Sequence, residues 1–259
     1  ESPYNFLVAA SYSDQGRALL KWIKDNHEGG EPTVALLYND TAFGRSPVED
    51  MKAYSKEIGV EIVDEQVIDV KATEAQSQLL NMEKKNPDYG IIQQTWAATS
   101  TILRDSKTLG IDTKYMGLNW TTGEGLLDNV DAATAEGFMG ILLNADPTED
   151  VPGMAEVKEY VEEKGKTLED IDQKFIQGWV TSKIMFEAVK LAAEQNPEGD
   201  ITGAQIRAAM ESLTNLDLGG LAPNVTFTSD NHAGTTQVRI GVVKDGKWEV
   251  MTDFISYED

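Results

Sequence analysis

With 259 residues, of which 41% are apolar, the chain can bury the core of one large or two modest domains. Its 44 acidic and 22 basic residues give a formal charge of −22, which repels phosphate backbones and anionic lipid and argues against nucleic-acid or membrane-surface binding. The absence of cysteine removes thiol nucleophiles, disulfides and Cys-based metal sites, and suits an oxidising compartment.

In chain order, "TVALLY" (33–38) is an apolar run after the turn residues "EGGEP" and predicts a buried strand. In "SPVED", Ser46 is placed to cap a helix, Pro47 to occupy its first position and Glu49 to complete a capping box. Val48, Met51 and Ile58 give the helical stripe, and Gly59 stops it. "VEIVDEQVI" (60–68) predicts a second strand, rich in β-branched residues. Thr73 and Gln76 read as another capping box, opening a helix that ends near Pro87. Then come the strand "YGIIQQ", a helix carrying Ile102, Leu103 and Leu109, and the strand "KYMGL" (114–118). Such alternation predicts a parallel sheet with helices on both faces.

After about residue 143 the texture changes. The loop "NADPTEDVPG" leads to three predicted helices, near 153–164, 172–194 and 203–213. The last opens with a capping box of Thr202 and Gln205. "NVTFT", "TQVRIGVV" and "WEVMTDFI" then read as strands, with "KDGK" (244–247) as an Asp-Gly hairpin turn. His27 and His232 sit beside turn-like residues, in "NHEGG" and "SDNHAGTT", and read as solvent-exposed loop histidines. No apolar run approaches the roughly 18 residues of a spanning helix, and the N-terminus lacks the pattern of a signal peptide.

Three strand ends carry one kind of composition. After "TVALL" comes "YNDTAFG", after "YGII" comes "QQTW", and after "KYMGL" comes "NWTTGEG". Ligands in open parallel sheets sit beyond the carboxyl ends of the strands. Phe43, Thr95, Trp96, Asn119 and Trp120 are therefore expected to converge on one edge of one sheet, as the aromatic wall and fixed polar groups of a small-molecule pocket. A single Trp at a strand tip more often plugs the end of the sheet; three tips together favour the pocket.

These residues also carry a family resemblance that runs over nearly the whole chain. "SYSDQGRALLKWI" looks like an Asp-x-Gln-Gly helix start, and "ALLYNDTAFGRSPVEDM" like a strand–loop–Tyr/Phe-Gly–helix element. "GIDTKYMG" with "AEGFMG", then "FIQGWVTSKIMFEAVKLA", "ITGAQIRAAMESL" and "GGLAPNVTFT", follow in order. The chain resembles the type I periplasmic binding proteins, specifically the branched-chain amino acid (Leu/Ile/Val) group of ABC-transporter substrate-binding proteins.

The resemblance implies an α/β protein of two lobes, each a parallel sheet flanked by helices, joined by three crossovers and closing over a ligand at the hinge. Residues 9–141 and 236–259 would form the second lobe. Residues 1–8 and 142–235 would give a crossover and part of a first lobe whose opening βα units are not in this sequence. Phe43 matches an aromatic ligand contact, and Thr95 with Trp96 the next one. Asn119 stands where amino-acid binders use a carboxylate to hold the ligand's ammonium. Phe175 matches a wall residue of the first lobe, with Gln177 one step along the same strip.

The implied function is that of a non-enzymatic, exported (periplasmic or cell-surface) solute-binding protein, monomeric at full length, with no cofactor or metal. It would deliver a small organic molecule to an ABC permease. A neutral Asn119 withholds the charge-assisted bond an ammonium prefers, so an aromatic or aliphatic carboxylate is expected ahead of an α-amino acid.

The plainer alternatives stand beside this. Phe175 and Trp179, spaced i, i+4, could be core. "NDT", "NWT" and "NVT" fit the glycosylation triplet that chance often supplies, and "GEGLLD" lacks the third glycine of a dinucleotide fingerprint. The same fold could serve as the ligand-sensing part of a receptor or regulator. An α/β hydrolase would need a site such as Asp40 with Glu124, since the chain has no G-x-S-x-G elbow, no H-E-x-x-H and no P-loop.

Overall fold

A computed structural model of the protein describes residues 3–259. The chain divides into two compact units, Tyr12–Leu142 with Val238–Asp259, and Glu1–Ser11 with Leu143–Gln237. It passes between them at Ser11/Tyr12, Leu142/Leu143 and Gln237/Val238.

The first of these units is built around a sheet. In chain order it contains α1 (Tyr12–Asn26), β1 (Thr33–Tyr38), the one-turn α2 (Ala42–Arg45), α3 (Val48–Ile58), β2 (Glu61–Val67), α4 (Gln76–Glu83), β3 (Tyr89–Gln93), α5 (Trp96–Leu109) and β4 (Lys114–Gly117). The short helices α6 (Glu124–Leu127) and α7 (Ala132–Ala135) lead to β5 (Met139–Leu142). The seven strands, completed by β6 (Arg239–Lys244) and β7 (Lys247–Val250), lie in the order β2-β1-β3-β4-β5-β6-β7. The five from β2 to β5 pair in parallel, and β6 and β7 add an antiparallel edge.

Burial explains why the apolar runs are continuous. A parallel sheet is covered on both faces, and every residue of β3 and all but the first of β1 are buried. Ala35, Leu37 and Ile92 pack with Leu79 and Met82 of α4 and Ile102 of α5. Leu36 and Ile91, also buried, alternate to the other face. There α1 meets α3 closely enough that Met51 fills the space a side chain at Gly16 would need. The edge strand β2 carries Glu61, Asp64 and Glu65, which blunt it against further pairing. The β6–β7 turn has Asp245 at φ 50 and Gly246 at φ 75, the two left-handed residues of a type I′ hairpin.

The second unit is helical, with α8 (Met154–Glu163), α9 (Gln173–Gln195) and α10 (Gly203–Met210). Ile176, Val180, Ile184 and Ala188 of α9 form a buried stripe against Val157 of α8 and Ala209 and Met210 of α10. Thr202 and Gln205 form the expected capping box of α10.

Four sequence readings need correction. Ser46 does not cap α3: its backbone is already helical (φ −54, ψ −41), because it follows directly on α2, and its hydroxyl donates to Phe43 O at 3.1 Å. Pro47 takes the cap position without a side-chain bond. Nor do Thr73 and Gln76 form a capping box, although Gln76 is the first residue of α4. The fully buried Ala75 is its N-cap, and Ala75 N donates 2.6 Å to Asp105 Oδ2, a carboxylate lent by α5. "NVTFT" keeps the alternation of a strand, with Val225 and Phe227 fully buried, but among the described residues its one bridge is Leu216–Val225. Its inward residues are held by the helical core, and no named strand among the described residues lies beside it.

The histidines are half-buried rather than solvent-exposed. His27 meets the Tyr89 ring edge-on at 5.8 Å. His232 stacks on Phe6 at 3.9 Å, with its ring nitrogens 3.1 Å from Asn5 O and 3.0 Å from Glu211 Oε1.

Candidate functional site

The strand order reverses at β1: the chain moves from β1 outward to β2 and returns to β3 on the other side. The carboxyl ends of β1 and β3 therefore flank the crevice where doubly wound sheets take ligands. The tips of β1, β3 and β4 are consecutive, so the three segments after them share one edge about 10 Å wide.

Buried amides fix the first two tips to each other. Asn39, Gln93 and Gln94 are all nearly or fully buried. Asn39 Nδ2 donates to Gln94 Oε1 at 3.0 Å, and Gln94 Nε2 to Ile68 O at 2.7 Å, so Gln94 ties the loop after β2 to the tip of β1. Gln93 Nε2 donates to Phe43 O at 3.0 Å. Gln93 Oε1 is buried with no partner among the described residues, the kind of orphan acceptor that folded proteins seldom keep. Gly44 makes the tight loop possible, since a Cβ there would lie 2.1 Å from Asn39 O.

The third tip reaches the first through α1. Trp120, in the 3-10 turn Asn119–Thr121, donates from Nε1 to Tyr12 Oη at 2.8 Å. The Tyr12 ring meets Phe43 edge to face, with centroids 5.3 Å apart. Asn119 N donates to Gln15 Oε1 at 3.1 Å. The turn itself is anchored by Thr121 Oγ1 to Leu118 O at 2.7 Å and Thr122 Oγ1 to Ile141 O at 2.8 Å. Tyr12, Gln15 and Asn39 were not singled out from sequence.

Thr95 and Trp96 open α5 at the same edge. Thr95 has the extended backbone of an N-cap (φ −91, ψ 165) but makes no side-chain cap bond, so the positive end of the helix is not closed by its own hydroxyl. Trp96 Nε1 donates to Thr122 O at 2.7 Å, and its ring fills the space beside Gly125, where a Cβ would come within 2.3 Å of it. Most of that indole is used in joining α5 to α6.

Phe175 and Gln177 belong to the helical unit. Phe175 N is capped by Asp172 Oδ1 at 2.8 Å, and its ring packs partly buried on the helical core, as does Trp179. Gln177 lines a cavity of about 10 Å³ with Val8, Asn144 and Thr235, room for about one water.

The side chains at the three tips are uncharged amides, hydroxyls and aromatics, apart from Glu124 and Asp40. The Asp40 carboxylate is paired with Arg45, whose hydrogen bond and charge hold it below the ordinary carboxylate range, the opposite of a carboxylic acid poised to give a proton. Among the described residues no group of three or more metal-ligating side chains occurs, and no helix is long and apolar enough to cross a membrane. A cavity of about 330 Å³ opens at the opposite edge of the sheet, between Asn86–Tyr89 and Gly110–Lys114. Its Asp88 is already engaged with Thr33 N at 2.8 Å and Thr33 Oγ1 at 2.6 Å.

Compared with known families, residues 1–247 match the one described as "Periplasmic binding protein". The chain belongs to that family. Among solved structures, a branched chain amino acid ABC transporter protein from Thermus thermophilus with bound valine is 27% identical, with a TM-score of 0.86. A substrate-binding protein from Aeropyrum pernix is 22% identical (TM-score 0.85), and a fatty acid ABC transporter substrate-binding protein from Thermomonospora curvata 18% (TM-score 0.82). The matches cover 96%, 97% and 98% of this chain but only 66%, 66% and 65% of those chains. A comparison with curated proteins returns no match. The family fold is the type I periplasmic binding fold, and the solved structures it resembles include substrate-binding proteins of ABC transporters.

Proposed function

We propose that this chain is the greater part of an exported solute-binding protein that captures a small organic molecule and delivers it to an ABC permease. The observation that carries the reading is the linked edge of three consecutive strand tips, where Gln93 holds Phe43 and Tyr12 joins Phe43 to Trp120. Aromatic walls with a few fixed polar groups bind small organic solutes by apolar contact and orient them by hydrogen bonds. Binding would work by hinge closure, a solute shifting the lobes toward the form the permease recognises.

We further propose Phe43, Thr95, Trp96, Asn119 and Trp120 as contacts in one unit and Phe175 and Gln177 as contacts in the other. With Asn119 neutral and the start of α5 uncapped by a side chain, a solute bearing a carboxylate or carbonyl fits better than an ammonium. The valine bound to the Thermus thermophilus relative favours an α-amino acid as the second reading.

Calorimetric titration of the chain with benzoate, hexanoate, L-valine and L-leucine, followed by mass spectrometry of the recovered solute, separates these. Tighter binding of the simple acids, returned unchanged, supports the proposal. Tighter binding of the amino acids moves the ligand class to them, and chemical conversion of any solute overturns the transport reading.

A further inference from the structure

The bond between Trp120 and Tyr12 has only one possible direction. An indole nitrogen can only donate, whereas a phenol oxygen both accepts and donates. At 2.8 Å, Trp120 Nε1–H therefore donates a hydrogen bond to Tyr12 Oη, and the hydroxyl hydrogen of Tyr12 is left for another acceptor. Among the described residues, Tyr12 Oη enters no other hydrogen bond. Tyr12 is half-buried, wedged by its ring against Phe43, and Trp120 is 39% exposed, so the hydroxyl stands at the rim of the three-tip edge and not in the core. An oxygen that already accepts a hydrogen bond is also a stronger donor, because chained bonds polarise one another.

We infer that Tyr12 is a ligand-contacting residue whose hydroxyl donates to an acceptor oxygen of the bound solute, while its ring sets the spacing between Phe43 and Trp120. The inference rests on the reading of this edge as a solute site, and it makes Tyr12 the group that selects for an acceptor-bearing solute. An O–H bond to an anionic oxygen is roughly twice as strong as one to a neutral oxygen. Tyr12 should therefore favour a carboxylate over an amide of the same shape. Arg45, beside the first tip, is already paired with Asp40 and does not supply that preference.

The test compares the unaltered chain with Tyr12→Phe and with Tyr160→Phe, whose exposed phenol lies on α8 of the other unit. The probes are benzoate, benzamide, hexanoate and L-leucine. Tyr12→Phe keeps the ring against Phe43 and removes one oxygen; its thermal midpoint and the Trp96 indole N–H resonance, whose partner is Thr122 O, report that the edge is otherwise intact. The expected result is a loss of about tenfold or more for the tightest acid in Tyr12→Phe, a fall in the benzoate-to-benzamide ratio, and no change in Tyr160→Phe. Affinities within twofold of the unaltered chain, or equal losses for benzoate and benzamide, overturn the inference and leave the solute site standing. If no probe binds the unaltered chain saturably, the solute-site reading fails and this inference fails with it.

Discussion

Gln93 Nε2 donates to Phe43 O across the switch point between β1 and β3, at 3.0 Å. One buried amide thus sets the position of an aromatic loop fifty residues earlier in the chain. Replacing it by Leu deletes that bond and also the buried, unpartnered Oε1. The two effects oppose each other, so stability should change by no more than about 1 kcal/mol. Solute affinity should fall roughly tenfold, because Phe43 loses its fixed place. Thermal melting and calorimetry on Gln93→Leu measure both; a large stability loss with unchanged affinity would show the amide to be a fold element alone.

Gly44→Ala addresses the same loop through sterics. The added Cβ would press on the Asn39 carbonyl, backbone that cannot swing away. A cost of about 1–3 kcal/mol is expected, read as a lowered denaturation midpoint.

Asp105 caps α4 from a neighbouring helix. Asp105→Ala should cost about 1 kcal/mol, the usual worth of a side-chain cap. Thr73→Ala should cost nothing measurable, although the local sequence nominates Thr73 as the cap. Denaturant unfolding of the two variants decides between them.

At alkaline pH the buried Tyr115 should dominate. Burial pushes its phenol from 10.0 up to about 12, outweighing the hydrogen bond with Ser106, which lowers it. The unfolded chain therefore gives up this proton near pH 10 while the folded chain holds it. The stabilisation is complete below pH 10 and is lost as pH rises toward 12, on the order of 2–3 kcal/mol in all. Tyr38, Tyr54, Tyr89 and Tyr257 are raised too, so Tyr115→Phe should shallow the alkaline decline without abolishing it. Unfolding free energies between pH 8 and 11 give the slopes.

What was legible in the sequence follows a physical line. β1, β3 and β4 could be read because a parallel sheet buried on both faces demands unbroken apolar runs. The hairpin at Asp245 and Gly246 could be read because few residues accept two left-handed positions. Caps were read well only where local sequence decides them, as at Thr202. At Ser46 the preceding helical turn fixes the backbone, and at Ala75 the capping group arrives from 30 residues away.

The edge of the sheet divides in the same way. Phe43, Asn119 and Trp120 stood out because their composition is wrong for a strand end. Tyr12 and Gln15 gave no such signal, since their partners Trp120 and Asn119 lie 108 and 104 residues further on. Trp96 had the composition of a pocket wall, yet its partners, Thr122 O and Gly125, belong to the joint between α5 and α6.

The most direct measurement is an amide and indole NMR shift map of the chain titrated with benzoate and hexanoate. Binding at the three strand tips should move the signals of Phe43, Thr95, Asn119 and the Trp120 indole together, saturating with one affinity. Shifts confined to residues 86–89 and 110–114 at the opposite edge, or no saturable shift at the tips, would contradict it.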